Sequence, residues 1–482
     1  MIRFLLNDVE SQLSPKDPHV SVLDYLREIL REKGTKEGCA SGDCGACTVV
    51  IGEVVDGGMQ YRAINACITP MATLHGKQLI TVEHLKQGEM LHPVQQAMVD
   101  CHGSQCGFCT PGFIMSMFAY RKSHAQPERG EICEALGGNL CRCTGYRPII
   151  DAAVQMFESP LEDQFSNAEG KTVSALQAIA GGGDGAEVVL HNGAKRFFSP
   201  GSTADLALLL QQYPEASLVA GGTDLCLEFT QFLREFDTLI YTGRVAEMLR
   251  LADTELAIEI GGAAPYSDCT QSLVRHYPDL GELLERLGSL QIRNQGTVAG
   301  NVANASPIAD MPPVLIVLGA QLLLRCGDET RLLPVQDYYK SYKKTAQCVS
   351  EFIERIIVPK PKAGYEFRVY KISKRLEDDI SATCGAFHIK IEGGKVSDVR
   401  IAFGGMAAIP ARAGHCEQAL IGQAWNLQTV ELAMTALADD FQPISDFRAS
   451  AEYRLSVSKN LLKRFYLELE SSADQLRVTH YA

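Results

Sequence analysis

Cys39, Cys44 and Cys47, followed by Cys67 after nineteen residues, spell C-x4-C-x2-C with a distant fourth cysteine, the plant-type spacing for a 2Fe-2S cluster. Such a cluster moves one electron at a time, so the first chemistry implied is electron transfer. A second quartet, Cys106 and Cys109 with Cys141 and Cys143, reads C-x2-C and then C-x-C. Ten of the sixteen cysteines fall within the first 143 residues, so two metal centres are implied. Gly42, Gly45 and Ala46 stand between the first ligands; small residues there let the backbone fold over a cluster and aim N–H groups at its sulfurs. A structural zinc site also takes four thiolates, and on spacing alone it stays an alternative, more so for the second quartet than for the first. Cys109-Thr110-Pro111-Gly112 reads as a helix start, whose donor end suits an anionic metal-thiolate core. Arg142, between two ligand cysteines, supplies a compensating charge. Cys101 and Cys133 are surplus to the quartet and are expected as buried apolar thiols.

Two later segments have the texture of a phosphate-bearing ligand site. Leu218-Val219-Ala220-Gly221-Gly222-Thr223-Asp224-Leu225 is a strand entering a Gly-Gly-Thr loop, which lets consecutive backbone N–H groups form a nest for a pyrophosphate. Alone, a Gly-Gly after a strand is more often only a turn. Gly296 to Asp310 then gathers small, hydroxyl and amide side chains into fifteen positions, a low-bulk stretch suited to a second phosphate and a ribose. The charged run Lys371 to Asp379 reads by default as a solvated face. Gly181, Gly183 and Ala186 satisfy G-x-G-x-x-A formally, but no strand precedes them and Glu187-Val188-Val189-Leu190 does not open a helix, so the dinucleotide reading is rejected.

Positioning these residues requires several elements. Residues 1–88 mix β-type runs (Thr48 to Ile51, Gln78 to Val82) with one amphipathic helical stretch from Val22 to Glu32, a small α+β unit around a cysteine loop. Residues 89–158 turn helical, with runs at Val94 to Val99, Phe113 to Tyr120, Glu131 to Leu136 and Pro148 to Phe157, the second quartet lying on the turns between them. Residues 159–190 have a linker composition. Strands and helices alternate over 191–364, and 365–482 places strand-type runs before helical ones. The expected class is multidomain α+β. The 482 residues carry a formal charge of −13 without a basic run, which argues against nucleic acid and membrane as partners and for small molecules or another protein. The N-terminal run is broken by Asn7 and Asp8 and is not a secretory signal; the apolar stretch Pro313 to Leu324 is too short to span a bilayer. A cytoplasmic setting is therefore expected, where clustered cysteines serve metal rather than disulfides.

Taken together, these motifs resemble the xanthine dehydrogenase family of molybdenum hydroxylases, over nearly the whole chain. EGCASGDCGACT with Cys67 is similar to the family's ferredoxin-like cluster motif, and QCGFCTPG with GGNLCRCTGYRP to its helical-domain cluster, so the resemblance makes Cys39, Cys44, Cys47, Cys67, Cys106, Cys109, Cys141 and Cys143 iron ligands. It implies a ferredoxin-like β-grasp, a four-helix iron-sulfur domain, a non-Rossmann FAD-binding domain and a C-terminal flavoprotein domain. FAD contacts carry onto Val219, Ala220, Gly221, Gly222, Thr223, Asp224, Leu225, Thr297, Gly300, Asn301, Asn304, Asp310 and Lys371. KISKRLEDDIS is similar to the loop where nicotinamide docks, with Asp378 near the flavin edge, tuning the choice between NAD and oxygen. Leu287 stands where some relatives place an aromatic over the flavin. The resemblance implies that electrons from purine oxidation at a molybdenum centre pass through the helical-domain cluster, then the ferredoxin-like one, to FAD and on to NAD, as hypoxanthine and xanthine become urate. Because the chain ends at 482, the molybdopterin site is expected on a larger partner polypeptide, in an assembly of two small and two large subunits. An aldehyde or another N-heterocycle as substrate, and a cluster carrier without catalysis, are the alternatives.

Overall fold

The computed structural model describes residues 1–14, 17–181, 188–192 and 195–470. By compactness it falls into two units, and both draw on the 191–364 segment: the first holds residues 1–249, 265–267 and 288–297, the second 250–264, 268–287 and 298–482.

In the first unit, Ile2–Leu6 and Val9–Leu13 form a hairpin, and the sheet continues through Gln78–Ile80, Thr48–Val55 and Gly58–Asn65. Only the pairing of Ile2–Leu6 with Gln78–Ile80 is parallel, the β-grasp arrangement. Ser21 caps the helical stretch beside it, its hydroxyl accepting from Asp24 N–H while the Asp24 carboxylate accepts from Ser21 N–H, a reciprocal cap. The stretch expected to be helical from Val22 to Glu32 is a short α turn, Val22–Asp24, widening into a π turn, Tyr25–Ile29; Arg31 at φ 65° ends it. Of the apolar face predicted by the spacing, Val22, Leu23 and Leu26 are buried and Leu30 is partly so, and Tyr25 is buried beside them.

Four helices follow, Pro93–Asp100, Thr110–Ser123, Arg129–Leu136 and Arg147–Gln155, around Phe113, Phe118, Ile132 and Ile149. Thr110–Ser123 is buried from Gly112 to Arg121, as expected of a central helix. The segment read as a linker by composition contains an eighteen-residue helix, Gln164–Gly181. It buries Leu176 and Ile179 against Leu5, Val54 and Met59, and Glu169 accepts the Met59 N–H at 2.8 Å. One buried face leaves the rest of its surface polar, which is why the composition suggested a linker. Gly183 and Ala186 of the rejected fingerprint lie outside the described residues. A second sheet runs Val188–Asn192, Lys195–Ser199, Thr238–Tyr241, Ser217–Val219, the last three strands parallel and the helix Thr203–Gln212 returning the chain between them.

Among its described residues the second unit has two larger antiparallel sheets and a two-stranded one, Tyr339–Ser341 with Lys344–Thr345. Of the larger two, one runs Leu251–Asp253, Ala257–Gly261, Phe352–Pro359, Gln321–Cys326, Glu329–Pro334; the other runs Tyr365–Ile372, Thr383–Glu392, Lys395–Gly404, Ala411–Arg412. The latter is covered by the helices Gly414–Leu420, Leu427–Asp440 and Ala451–Glu470, with Phe387 stacked on Phe465 at 5.2 Å. Among the described residues no helix is long and apolar enough to cross a membrane.

Asp163 anchors the start of the long helix in the first unit. Burial pushes its carboxyl up, but the His92 ring at 3.2 Å, the Ser166 N–H and the Lys122 ammonium at 3.1 Å outweigh burial and hold it well below the usual carboxylate range. A carboxyl depressed in the folded state contributes stability above its unfolded value of about 3.9 and loses it as pH falls below that. We expect this contribution to be on the order of 2 kcal/mol at neutral pH. Asp163→Asn should lower stability at pH 7 and flatten the loss between pH 5 and pH 2, read by acid titration under circular dichroism.

Candidate functional site

The cysteine loop of the first unit is shaped by its glycines. Gly42 and Gly45 sit at φ 83° and 64°, a region other residues avoid, and this turns N–H groups inward: Ser41 and Asp43 donate to the Cys39 sulfur at 3.4 and 3.3 Å, and Cys39 N–H donates to the Cys44 sulfur at 3.3 Å. The Cys39 sulfur lies within hydrogen-bonding reach of Cys44 and Cys67, and Cys67 within reach of Cys47. Cys39 is pushed far below the ordinary thiol range chiefly because Cys44 and Cys67 donate to it; they are pushed up as the donors. Cys47 and Cys67 are buried. Asn65, fully buried, holds the loop by donating to the Gly42 carbonyl at 2.8 Å.

The second quartet contacts two by two, Cys106 with Cys143 and Cys109 with Cys141, where the first forms a linked run of four. Cys109 precedes the helix Thr110–Ser123 with Pro111 in its first turn, and burial pushes its thiol up to about 12. Thr144 lies 3.2 Å from the Cys141 sulfur, and the Tyr146 hydroxyl accepts the Cys141 N–H at 3.0 Å with Tyr146 at φ 69°. Cys106, Arg142 and Cys143 are exposed. Each quartet brings four thiols together, the set that a two-iron core takes with two thiolates on each iron. All sixteen cysteines are free. Cys101 and Cys133, expected as buried apolar thiols, are only half-buried, and Cys101 donates to Gln155 at 2.7 Å; Cys101 caps the C-terminal end of Pro93–Asp100 and Cys133 lies on a half-buried position of Arg129–Leu136.

Between the quartets lies a set of polar side chains that the motifs did not reveal. Asn139 Nδ2 donates to the Gly45 carbonyl at 3.0 Å and to Thr48 Oγ1 at 3.2 Å. Its Oδ1 accepts from Ser116 at 2.7 Å and from Gln291 at 3.0 Å. Gln291 also donates to Ser116 and Thr48. Nearby, Leu140 N–H donates to the Cys44 carbonyl at 3.0 Å. Gln291 belongs to residues 288–297, which the first unit takes from the middle of the flavin-like half; Arg293 binds Glu134 at 2.5 Å, Asn294 donates to the Ala63 carbonyl and Gln295 to Thr69. The run of amides and a cation in QIRNQ just ahead of Gly296 was the available signal.

The phosphate-nest segment Val219 to Leu225 lies in the first unit, as does Thr297. Gly222 sits at φ 73°, and a Cβ on Gly221 would overlap the Gln295 and Gly296 backbone, so the Gly-Gly pair is required by the turn and by a close crossing. Gly300, Asn301, Asn304, Asp310, Lys371 and Asp378 lie in the second unit. There Lys371 binds Asp310 at 2.8 Å, both buried, and Ser381 donates to the other Asp310 oxygen. Asn304 is engaged by Lys343 at 2.6 Å. Asn301 Oδ1 is buried with no partner, an acceptor that fits a donor from a bound ligand such as a ribose hydroxyl. Leu287 is buried. The charged run is braced internally: Asp379 accepts from Arg375 N–H at 2.8 Å, Arg375 donates to the Asp378 carbonyl at 3.1 Å, and Arg286 to that of Leu376 at 2.9 Å. Asp378 sits at φ 48°.

Four family models match the chain: a 2Fe-2S iron-sulfur cluster binding domain over 4–72, a 2Fe-2S binding domain over 81–154, an FAD binding domain in molybdopterin dehydrogenase over 192–361, and a CO dehydrogenase flavoprotein C-terminal domain over 368–469. Xanthine dehydrogenase of Emericella nidulans is 32% identical over 98% of this chain, and xanthine dehydrogenase 1 of Arabidopsis thaliana 31% identical over 96%. The chain spans 39% of the length of each. Among solved structures, carbon monoxide dehydrogenase from Hydrogenophaga pseudoflava, lacking the Mo-pyranopterin moiety, aligns with TM-score 0.53 and 27% identity, covering 56% of this chain and 94% of that one. The reconstituted carbon monoxide dehydrogenase of Oligotropha carboxidovorans aligns at 0.52 and 26%, over 55% and 94%.

Each quartet should hold its own cluster. Cys44→Ala removes one thiolate and leaves the Cys44 carbonyl to its Leu140 partner, so iron should fall from about four to about two per chain. The electron paramagnetic resonance signal of the helical quartet should persist; loss of both signals in a soluble protein would contradict this.

Proposed function

The chain belongs to the molybdenum hydroxylase family, as its iron-sulfur and FAD-binding portion, and from that premise we propose that it carries the electrons of a purine oxidation from a molybdopterin-bearing partner to NAD. The observation that carries this reading is a gradient of exposure within one compact unit. Cys106 and Cys143 are exposed, whereas Cys47 and Cys67 are buried, so electrons from another protein surface enter at the helical quartet and move inward to the ferredoxin-like one. Bound 2Fe-2S cores supply one-electron steps, and bound FAD exchanges these for the two-electron chemistry of a nicotinamide.

The chain's own residues supply the setting. The Cys39 loop holds its sulfurs under inward-facing N–H groups, which favour the more negative, reduced state. Within the first unit, the amides of Ala220 to Asp224, turned by Gly222, are the ones suited to receive a pyrophosphate; within the second, the buried unpartnered Asn301 Oδ1 is suited to accept from a ribose hydroxyl. The Lys371–Asp310–Ser381 cluster, already satisfied internally, fixes the strand Tyr365–Ile372 from which the nicotinamide loop departs rather than binding as free charge. Xanthine is the substrate we assign to the partner because relatives of that name match 96% or more of this chain; two copies of each subunit complete the proposed assembly.

The purified, cofactor-loaded chain should oxidise NADH with ferricyanide and fail to oxidise xanthine. Absence of NADH oxidation by FAD-loaded protein would sink the choice of NAD, and xanthine turnover by the single chain would overturn the placement of molybdenum on a partner.

Asp378 supplies a finer test. A carboxylate at the flavin edge disfavours negative charge building up there or leaving as superoxide, and favours hydride transfer to a cationic nicotinamide ring. Asp378→Asn should therefore shift electrons from NAD to oxygen in the assembled enzyme by on the order of 1 kcal/mol, several-fold in rate ratio. An unchanged ratio of NADH to superoxide plus peroxide would return this loop to a structural role.

A further inference from the structure

A cleft of about 250 Å3 opens in the second unit where the end of the helix Met311–Val317 meets the strands Lys395–Gly404 and Ala411–Arg412. We propose that it binds a small oxyanion, a carboxylate or a phosphate, between the guanidinium groups of Arg400 and Arg412. None of its lining residues belongs to the cysteine quartets or to the FAD-contact set, so the inference goes beyond the electron-carrier reading and does not depend on it.

The charge balance carries the inference. The chain as a whole has a formal charge of −13, yet the described residues lining the cleft include two arginines and two amides, Gln321 and Gln336, and no carboxylate. Arg400 is half-buried, and among the described residues its guanidinium makes no ion pair, hydrogen bond or ring stack. A cation withdrawn from water without a partner carries a desolvation cost that a bound anion would offset. The nearer acceptors are engaged elsewhere. Asp398, two residues earlier on the strand, accepts from the Tyr365 hydroxyl at 2.9 Å. The end of Met311–Val317 attracts a cation, but its last carbonyls are taken: Val314 by Leu318 N–H, Ile316 by Gly319 N–H and Leu315 by Ala320 N–H, with Val317 in hydrogen-bonding reach of the His388 ring. His388 pairs with Arg400 across the sheet, and burial, then the Arg400 charge, hold its ring down at about 4. The neighbouring ring thus feels a cation that nothing closer neutralises.

The geometry fits two oxygens. Gly319, at φ 70°, leaves room for the first guanidinium, since a Cβ there would lie 2.7 Å from Arg400 Nη1. Arg412 pairs with Ala402, and Arg400 stands two residues before Ala402, so both arginines leave the same face of the sheet. Arg412 Nε and Nη2 donate to the two Glu417 oxygens at 3.0 and 2.7 Å, which fixes the plane of the fork and leaves Nη1 for the cleft. Two such forks match the paired oxygens of a carboxylate or phosphate. The volume lies below the roughly 300 Å3 at which pockets for larger organic ligands begin, which restricts the ligand to a small acid. Gln336 and Arg412 are exposed, so the ligand enters from solvent.

The test uses the full chain loaded with iron and FAD, so that the pyrophosphate nest is filled before a probe is added. Radiolabelled inorganic phosphate and, separately, radiolabelled acetate are dialysed against it at neutral pH in about 0.15 M chloride, where weak surface attraction is screened. We expect saturation at one anion per chain, an affinity roughly tenfold or more weaker in Arg400→Met, and a several-fold weakening in Gln336→Glu, which puts a carboxylate at the exposed rim. Saturation by phosphate alone assigns the cleft to phosphates; saturation by acetate, with or without phosphate, assigns it to carboxylates. The proposal is overturned if neither probe saturates, or if binding is unchanged in both variants. Should Arg400→Met not retain its iron and flavin, Gln336→Glu decides: weaker binding supports the site and unchanged binding overturns it.

Discussion

The first unit is organised around a place from which side chains are excluded. Gly45, Gly112 and Gly138 bring three backbones together at a spacing that no Cβ would permit, and the peptide groups brought there have lost access to water. Buried peptide groups must be paired: Asn139 and Thr48 donate to the Gly45 carbonyl, and Ser116 and Gln291 hold the Asn139 amide in turn. The β-grasp sheet and the four helices each present one loop to this crossing. Their relative placement rests on these hydrogen bonds together with apolar packing, in which Val50, Ala63 and Ile80 of the sheet join the helical core.

Much of the fold was legible because its signals are local. Cysteine spacing, the Pro111 helix start, the strand entering Gly221-Gly222 and the apolar runs at Val94 to Val99 and Phe113 to Tyr120 each depend on neighbours within one or two turns, and the helix and strand signals lie on elements of the expected type. What escaped was non-local. Gln291 bonds to Ser116, 175 positions away, and nothing in QIRNQ says which half of the chain receives it. The helix Gln164–Gly181 was missed because its burial is confined to a narrow face, so its average composition resembled a tether. The π turn after Val22 keeps an apolar stripe that an ordinary helix would show as well.

The second unit shows why residue types alone misjudge charge. The run from Lys371 to Asp379 contains six ionisable groups and reads as solvated surface, yet Lys371 is buried on Asp310 and Asp379 closes a turn on Arg375. A buried ion pair adds little net stability over an apolar pair of the same shape, but it fixes direction: strand Tyr365–Ile372 leaves the sheet with its last residues held, and the loop begins from a fixed point. Asn301, with its unpartnered oxygen, lies on a helix of six residues rich in small side chains, the opposite strategy, in which bulk is withdrawn and one polar atom is left open.

The interlacing of the chain bears on how such a molecule can be divided by evolution or by a protease. All eight cysteines of the two quartets lie before residue 144, so a gene segment ending near residue 249 would look complete as a metal-carrying module. It would lack residues 288–297, which the first unit claims, leaving Asn139 Oδ1 without its Gln291 donor and Glu134 without Arg293. The metal-binding and flavin-binding parts are therefore separable as motifs but not as folded objects, and selection acting on the short segment ahead of Gly296 acts on both at once.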